Sequence, residues 1–200
     1  MKTTFYLIRH GETAWNAEGR LQGHTDIAIG DTGREQAEAV AQELHSKHID
    51  AIYSSPLSRA METAQVIGKK LDLPVHSIDT LKERHLGKLE GVTKEEMRAI
   101  YPDWERMSEE ERFKDDREGT ESGENTAQRI LETLKLLAEK HPDQTIACVS
   151  HGGNIRFTLV KLKYGTLNTI KGIKNCGFAV ITYEEGRFDV TCVEGIKTQL

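Results

Sequence analysis

Two hundred residues, 37% hydrophobic and 30% charged, suffice for one sizeable core but are short for two, so a single domain over 1–200 is expected. A net charge of −5 argues against nucleic acid as the main partner, and no apolar run approaches the roughly 18 residues of a membrane span. The three cysteines, Cys148, Cys176 and Cys192, form no C-x-x-C pair, which points to buried thiols rather than a disulfide framework or zinc site; with no leader-like N-terminus the expected location is cytoplasmic.

The first predicted element is a strand over Thr4-Phe5-Tyr6-Leu7-Ile8, apolar enough to be buried on both faces, which hands Arg9-His10-Gly11 to a loop. Gly11 is read as the residue that lets the backbone turn and approach a ligand. A loop through Arg20–Asp26 follows, then a helix capped by Asp31 or Thr32 with Ala37, Val40, Ala41 and Leu44 on one face. A short strand at Asp50–Ser55 leads to Ser55-Pro56, read as an N-cap and first helical position, which places Arg59 in the helix's first turn. That helix carries Ala60, Ala64, Ile67 and Leu71, and Leu73-Pro74-Val75 opens a third strand. After a loop containing Glu83, Arg84 and His85, Thr93 and Glu96 form a capping-box pattern for a helix that should stop before Pro102.

Between Tyr101 and Asn125 ten acidic residues face four basic ones, so the protein's acidity is concentrated in a poorly periodic segment, read as a surface excursion or lid spanning about 88–125. A strong amphipathic helix over Glu124–Lys140 places Ala127, Ile130, Leu131, Leu134 and Ala138 on its apolar face. Thr145–Ser150 is the clearest later core strand, and it delivers His151-Gly152-Gly153 to a loop before a helix near Asn154–Lys163. Two final strands, Phe178–Tyr183 and Phe188–Val193, flank Glu184-Glu185-Gly186-Arg187 as a hairpin whose edge leaves monomer or homodimer open. Strands alternating with helices, closed by a hairpin, define an α/β fold: three layers, α/β/α, around a mostly parallel sheet.

Strand ends and helix starts of one parallel sheet bring Arg9, His10, Arg59, Glu83 and His151 to one edge. Two histidines, two arginines and one acid suit phosphoryl transfer. His10 would attack phosphorus, the arginines and His151 would balance charge on the phosphoryl oxygens, and Glu83 would protonate the leaving oxygen. With the cations built in, no metal or cofactor is required, and no H-x-H, H-E-x-x-H, P-loop or G-x-G-x-x-G pattern occurs.

Arg9-His10-Gly11-Glu12-Thr13 with Trp15-Asn16 resembles the signature of the histidine phosphatase superfamily, also called phosphoglycerate-mutase-like. Gly19–Asp26, Ser54–Ala60, Glu83–Gly87, Glu121-Ser122 ahead of Arg129, and Ser150–Gly153 are similar to its further motifs and stand in its order. The resemblance implies a phosphorylated His10, a phosphate held by Arg9, Arg59 and His151, and Glu83 as proton donor. It also implies that Asn16, Gln22, Gly23, Arg84, His85 and Gly152 line the substrate or phosphate site. The implied partner is a small phosphomonoester. Two branches stay open: Glu83-Arg84-His85 is similar to the mutases, but no Arg-Arg pair follows Pro102 to grip a substrate carboxylate. That omission, with an acid-rich cover ill suited to trapping an anionic intermediate, favours a phosphomonoesterase over a phosphoglycerate mutase.

Departures from the pattern are Ile27-Ala28-Ile29-Gly30, expected to loosen the following helix start, and Thr120 where glycine often precedes Glu-Ser. Cys148-Val149-Ser150-His151-Gly152 approaches the G-x-S-x-G elbow of serine hydrolases without its first glycine. A scaffold that binds without catalysing is the remaining alternative class. His24 and His85 are read as lining or flanking the site, and His45, His48, His76 and His141 as surface groups. Lys94 and Arg156 are read as solvated rather than as aids to a substrate anion.

Overall fold

β1 (Lys2–Arg9) takes a central position because both of its faces are apolar: Phe5 and Leu7 enter one core, Tyr6 and Ile8 the other. In the computed structural model, which describes residues 1–198, it is flanked by β4 (Thr145–Ser150), parallel, and by β5 (Ile170–Glu184), antiparallel. With β2 (Ala51–Ser54), β3 (Val75–Ser77) and β6 (Arg187–Thr198) the six strands run in the order β3-β2-β4-β1-β5-β6. β1 to β4 are mutually parallel and the β5–β6 hairpin is antiparallel, as the alternating pattern and terminal hairpin imply.

Helices cover both faces. α2 (Asp31–Leu44) and α3 (Ser58–Leu71) pack Ala37, Val40, Leu44, Ala64 and Ile67 onto one, following a short α1 (Ala14–Ala17). α6 (Gly123–Lys140) and α7 (Gly152–Lys161) pack Ile130, Leu134, Ile155 and Leu159 onto the other. β4 obeys the same two-sided rule as β1, with Ile146 and Cys148 facing α6 and α7, and Ala147 and Val149 facing α2 and α3.

Several local expectations are corrected. Ser55 is not the cap of α3: Leu57 holds that position, and Asp26, 32 residues upstream, accepts from the Ser58 amide and hydroxyl at 2.7 Å each. Arg59 still falls in the first turn. α2 is capped by Gly30, with no side-chain cap bond, and Asp31 sits inside the first turn. Leu131 lies off the fully buried stripe of α6, whose inner face includes Thr126, Thr133 and Leu137 instead. The hairpin is longer than its alternation suggests, because register shifts along β5 interrupt the two-residue period. At its tip Glu185 and Gly186 both have positive φ, 49° and 81°, the twist a two-residue turn needs. Cys148 and Cys176 are buried, whereas Cys192 is exposed on the edge strand β6. His141 is half-buried, its Nε2 2.7 Å from the Tyr53 hydroxyl and its Nδ1 2.6 Å from Gln144 Oε1.

The acid-rich segment contains α4 (Lys94–Ile100), with its Thr93/Glu96 capping box, and α5 (Glu109–Lys114), with a second box from Ser108 and Glu111. Neither helix buries a residue fully. Most of the segment's charge is paired within itself or with its supports: Arg117 with Asp103 and Asp115, Lys88 with Glu118, Arg98 with Glu105, Lys114 with Glu110, Arg129 with Glu121 and Lys161 with Glu124. Its acidity is therefore largely neutralised locally, and the count of carboxylates overstates its repulsion of an anion. Phe113 packs against Phe157 of α7 at a ring separation of 6.0 Å, and backbone bonds between Leu21, Gly91 and Val92 stitch the segment's start to the loop around residue 21.

Gly11 has an ordinary φ, so its requirement is packing rather than a turn: a Cβ there would lie 2.4 Å from the carbonyl oxygen of Gly33 in α2. Because that oxygen belongs to a helix backbone, β1 and α2 would have to separate. Gly11→Ala is expected to destabilise the fold by about 1–3 kcal/mol, the usual range for overpacking. The loss would be read as a lower urea midpoint with an unchanged slope.

Candidate active site

The parallel register of β1 and β4 pairs Arg9 with Ser150, so the next residue of each strand, His10 and His151, emerges at the same sheet edge. Their rings stand 5.3 Å apart between centroids and both residues are almost wholly buried. The His10 amide bonds the Ser150 carbonyl at 3.0 Å, which closes the two strand ends together.

His10 Nδ1 lies 2.7 Å from the Gly11 carbonyl oxygen. A carbonyl only accepts, so Nδ1 carries the proton and Nε2 is left with the lone pair. Burial, reinforced by the guanidinium charges of Arg9 and Arg59, holds the His10 pKa well below that of an ordinary imidazole. His151 is depressed by the same burial and then by Arg59, His10, Arg9 and Arg129. Its Nε2 is 2.8 Å from the Ser55 hydroxyl, which places Ser55, intended in sequence as a helix cap, at the site instead. When Ser55 donates, His151 Nδ1 carries the proton, and it is buried without a hydrogen-bond partner among the described residues.

Arg59 is 0% exposed, and its terminal nitrogens donate to the carbonyls of Thr25 and Gly23 at 2.9 and 2.7 Å. Arg9 donates through Nη1 to the Ile173 carbonyl at 2.6 Å. Neither arginine is in an ion pair among the described residues. The inward nitrogens of this group, Arg9 Nε, Arg59 Nε and His151 Nδ1, and Gln22 Oε1, are buried without a hydrogen-bond partner among those residues. The N-terminus of α7 lies against this group: a Cβ on Gly152 would be 3.3 Å from Arg9 Nε, so glycine lets the guanidinium and the helix end approach.

Glu83 reaches the same helix end. Its Oε2 accepts from the Gly153 amide at 3.2 Å and its Oε1 from the Arg84 amide at 3.0 Å. Its carboxylate raises the arginine pKa values that burial lowers at Arg9 and Arg59. The loop carrying it is fixed from below: Asn154 Nδ2 donates to the carbonyls of Leu81 and Lys82 at 3.1 and 2.8 Å, and Ser150 Oγ donates to Leu81 at 2.8 Å while accepting from Asn154. Ser150 is thus a committed, fully buried support, which removes the basis for reading it as a hydrolase nucleophile.

Arg9, His10, Arg59, Glu83, His151 and Gly152 are brought together, with Gln22 buried beside them. Asn16, at the end of α1, is tied to the same strand end through Asn175. Gly23 serves through its carbonyl, which holds Arg59, and a side chain there would collide with Glu90. Arg84 lies 5.1 Å over the Phe157 ring. His85 is exposed, its Nδ1 3.0 Å from the Gly119 carbonyl, and His24 buttresses the catalytic loop with Nε2 2.7 Å from the Glu83 carbonyl. Arg156 is not a solvated cation: it donates to the carbonyls of Ile170 and Leu167, and burial lowers its pKa to about 10. Lys94 is exposed, as the sequence reading expected, and its pKa is lowered by desolvation and then by the charges of Lys197, Arg9, Arg156 and Arg98.

Sequence reading missed Thr63, whose hydroxyl accepts from the Gly11 amide and donates to the Arg59 carbonyl, and Glu90, which accepts from the His24 and Thr25 amides and the Thr25 hydroxyl. Neither carries a sequence signal of its own, since a helix-face threonine and a loop acid have surface roles by default.

Comparison with known proteins identifies the family. The profile of the histidine phosphatase superfamily (branch 1) matches residues 5–194. Phosphoserine phosphatase 1 of Hydrogenobacter thermophilus is 35% identical over 193 residues, 93% of this chain and 92% of that protein. Phosphoglycerate mutase-like protein 4 of Arabidopsis thaliana is 40% identical over 153 residues, 75% of this chain and 66% of that protein. The structure of a mycobacterial glucosyl-3-phosphoglycerate phosphatase superposes with a TM-score of 0.84 at 28% identity, covering 98% of this chain and all of that one. The chain belongs to branch 1 of the histidine phosphatase superfamily and is a phosphomonoesterase of that family.

Proposed function

We propose that the protein hydrolyses small phosphomonoesters bearing a second anionic group, through a phosphohistidine on His10. The observation that carries this reading is the buried set of unpartnered nitrogens on Arg9, Arg59 and His151 around a histidine whose Nε2 alone is free to react. In the first step the His10 Nε2 lone pair forms a bond to phosphorus as the ester P–O bond breaks, and Glu83 delivers a proton to the departing oxygen. In the second, water attacks the phosphohistidine, Glu83 accepts its proton, and inorganic phosphate leaves with His10 restored. The two arginines, His151 and the α7 amides balance charge on the non-bridging oxygens throughout. The exposed Lys94 at the start of α4 in the covering segment, whose pKa other cations including Arg9 lower, supports recognition of a second anion, such as the carboxylate of phosphoserine or a phosphoglycerate. One compact domain over 1–200, acting in the cytoplasm as monomer or homodimer, is the setting this reading assumes, in keeping with its free thiols.

A phosphoglycerate mutase is the second reading, favoured by Glu83-Arg84-His85 and by the mutase-like relative. Arg84, committed to the Phe157 face, weakens it. Inorganic phosphate release from phosphoserine, 3-phosphoglycerate and p-nitrophenyl phosphate separates the two: isomerisation of the phosphoglycerate without phosphate release would establish the mutase.

His10→Ala is expected to lower phosphate release on the order of 10³-fold or more and to abolish acid-labile phosphoenzyme. Glu83→Gln should cost about 10²–10⁴-fold on phosphoserine. The phosphoenzyme-forming step should slow much less with p-nitrophenyl phosphate, whose leaving group needs no proton; equal losses in that step for both substrates would contradict its role as acid.

The pH dependence has a definite sign. His10 and His151 resist protonation when folded but take up protons near pH 6.5 when unfolded, so the unfolded state binds more protons below about pH 6.5. Stability is therefore intact above that pH and falls as pH drops toward the folded pKa values. Urea unfolding between about pH 7.5 and 5 should show this fall, and His10→Ala or His151→Ala should flatten it.

A further inference from the structure

β5 is bulged where it passes the active site. Its pairing with β6 shifts register between Ile173 and Phe178, and within that interval Cys176 adopts a left-handed backbone with φ 56°. Gly177 lets the distorted strand lie against β6, since a Cβ there would come 2.8 Å from the Glu194 carbonyl. Bulges of this kind re-aim side chains, and the side chain re-aimed here is Asn175.

Asn175 Nδ2 donates to the His10 carbonyl at 3.1 Å and to Asn16 Oδ1 at 3.0 Å, while the Cys176 amide approaches the same His10 carbonyl at 3.4 Å. Asn16 Oδ1 also accepts the Thr13 amide at 3.3 Å. Both carboxamide orientations follow from these partners, because a backbone carbonyl only accepts and a backbone amide only donates. Asn175 must present its NH2 to His10, and Asn16 must present its oxygen to Thr13 and Asn175. The Asn16 oxygen is then occupied on two sides, and only its Nδ2 is left to meet a ligand.

We propose that Asn175 is a positioning residue: it orients the Asn16 carboxamide so that Nδ2, a donor, faces the phosphoryl group on His10, and it anchors the carbonyl of the nucleophile. The assignment rests on His10 as nucleophile. Without Asn175, Asn16 keeps only the Thr13 contact, and its oxygen is free to swing toward the anion, where it repels.

The test is a double-mutant cycle of Asn16→Ala and Asn175→Ala, with p-nitrophenyl phosphate turnover and orthovanadate inhibition as readouts. A hydrogen bond to a charged group corresponds to roughly 10–100-fold. Asn175→Ala should therefore weaken vanadate and lower kcat/KM by about that factor, Asn16→Ala should do the same, and the double variant should lose no more than the worse single variant. A purely structural role would lower the unfolding temperature yet leave the folded enzyme's vanadate affinity unchanged. The isosteric Asn175→Asp guards against a folding failure of the alanine variant. Its carboxylate faces two acceptors, so vanadate affinity should fall at neutral pH and recover on acidification relative to wild type.

Losses that multiply in the double variant, or vanadate affinity within about twofold of wild type in both Asn175 variants, would overturn the proposal. Retention of phosphate release by His10→Ala would instead overturn the nucleophile assignment itself, so the two failures are distinguishable.

Discussion

The structure depends on burying two guanidinium groups that no ion pair holds, one at the end of β1 and one in the first turn of α3. Arg59 is fully buried, Arg9 is partly buried, and their partners are backbone carbonyls of Gly23, Thr25 and Ile173 rather than carboxylates. Carbonyl dipoles orient a guanidinium without cancelling its charge, so the pair retains a strong field in a region of low dielectric. Burial first and that field second hold the His10 and His151 pKa values well below that of an ordinary imidazole, which is the condition the proposed nucleophile requires. The same field is complementary to a phosphate dianion. In the proposed mechanism one electrostatic arrangement would therefore both ready the nucleophile and select what it attacks.

Holding such a cluster requires support that makes no contact with the reacting atoms. Thr63 joins the Gly11 amide to the Arg59 carbonyl, and Asp26 caps the helix from which Arg59 projects. Glu90 gathers the loop whose carbonyls hold Arg59. Asn154 and Ser150 fix the carbonyls just before Glu83. The β5 bulge supplies Ile173 to Arg9 and Asn175 to His10. Most of these supports, Thr63, Asp26, Asn154, Ser150 and Asn175, are short polar side chains meeting a backbone group, a combination with little rotamer freedom to lose and well suited to holding a charged group still.

The covering segment is built on different terms. Its helices bury no residue fully, and it is held by capping boxes, by ion pairs centred on Arg117 and by Phe113 against Phe157. Exposed ion pairs contribute little stability each and tolerate replacement. Substrate range can therefore vary in this segment while the buried charge cluster stays the same.

The chain by itself determined the sheet and its chemistry. The two-sided apolar runs Phe5–Ile8 and Ile146–Val149 required central strands, the apolar faces of Asp31–Leu44, Ser58–Leu71 and Gly123–Lys140 required helices over them, and both histidines stood at strand ends. Those are local patterns, legible because period and apolarity are properties of neighbouring residues. Tertiary structure alone decided which groups touch. It made Asp26 a cap across 32 residues, turned Ser55 from a presumed cap into a partner of His151, and placed His141 on Tyr53. It also required Gly11 for helix packing and threw Asn175 out of a strand to reach His10. These contacts join distant segments through single hydrogen bonds or one close approach, and such pairings leave no periodic trace in sequence.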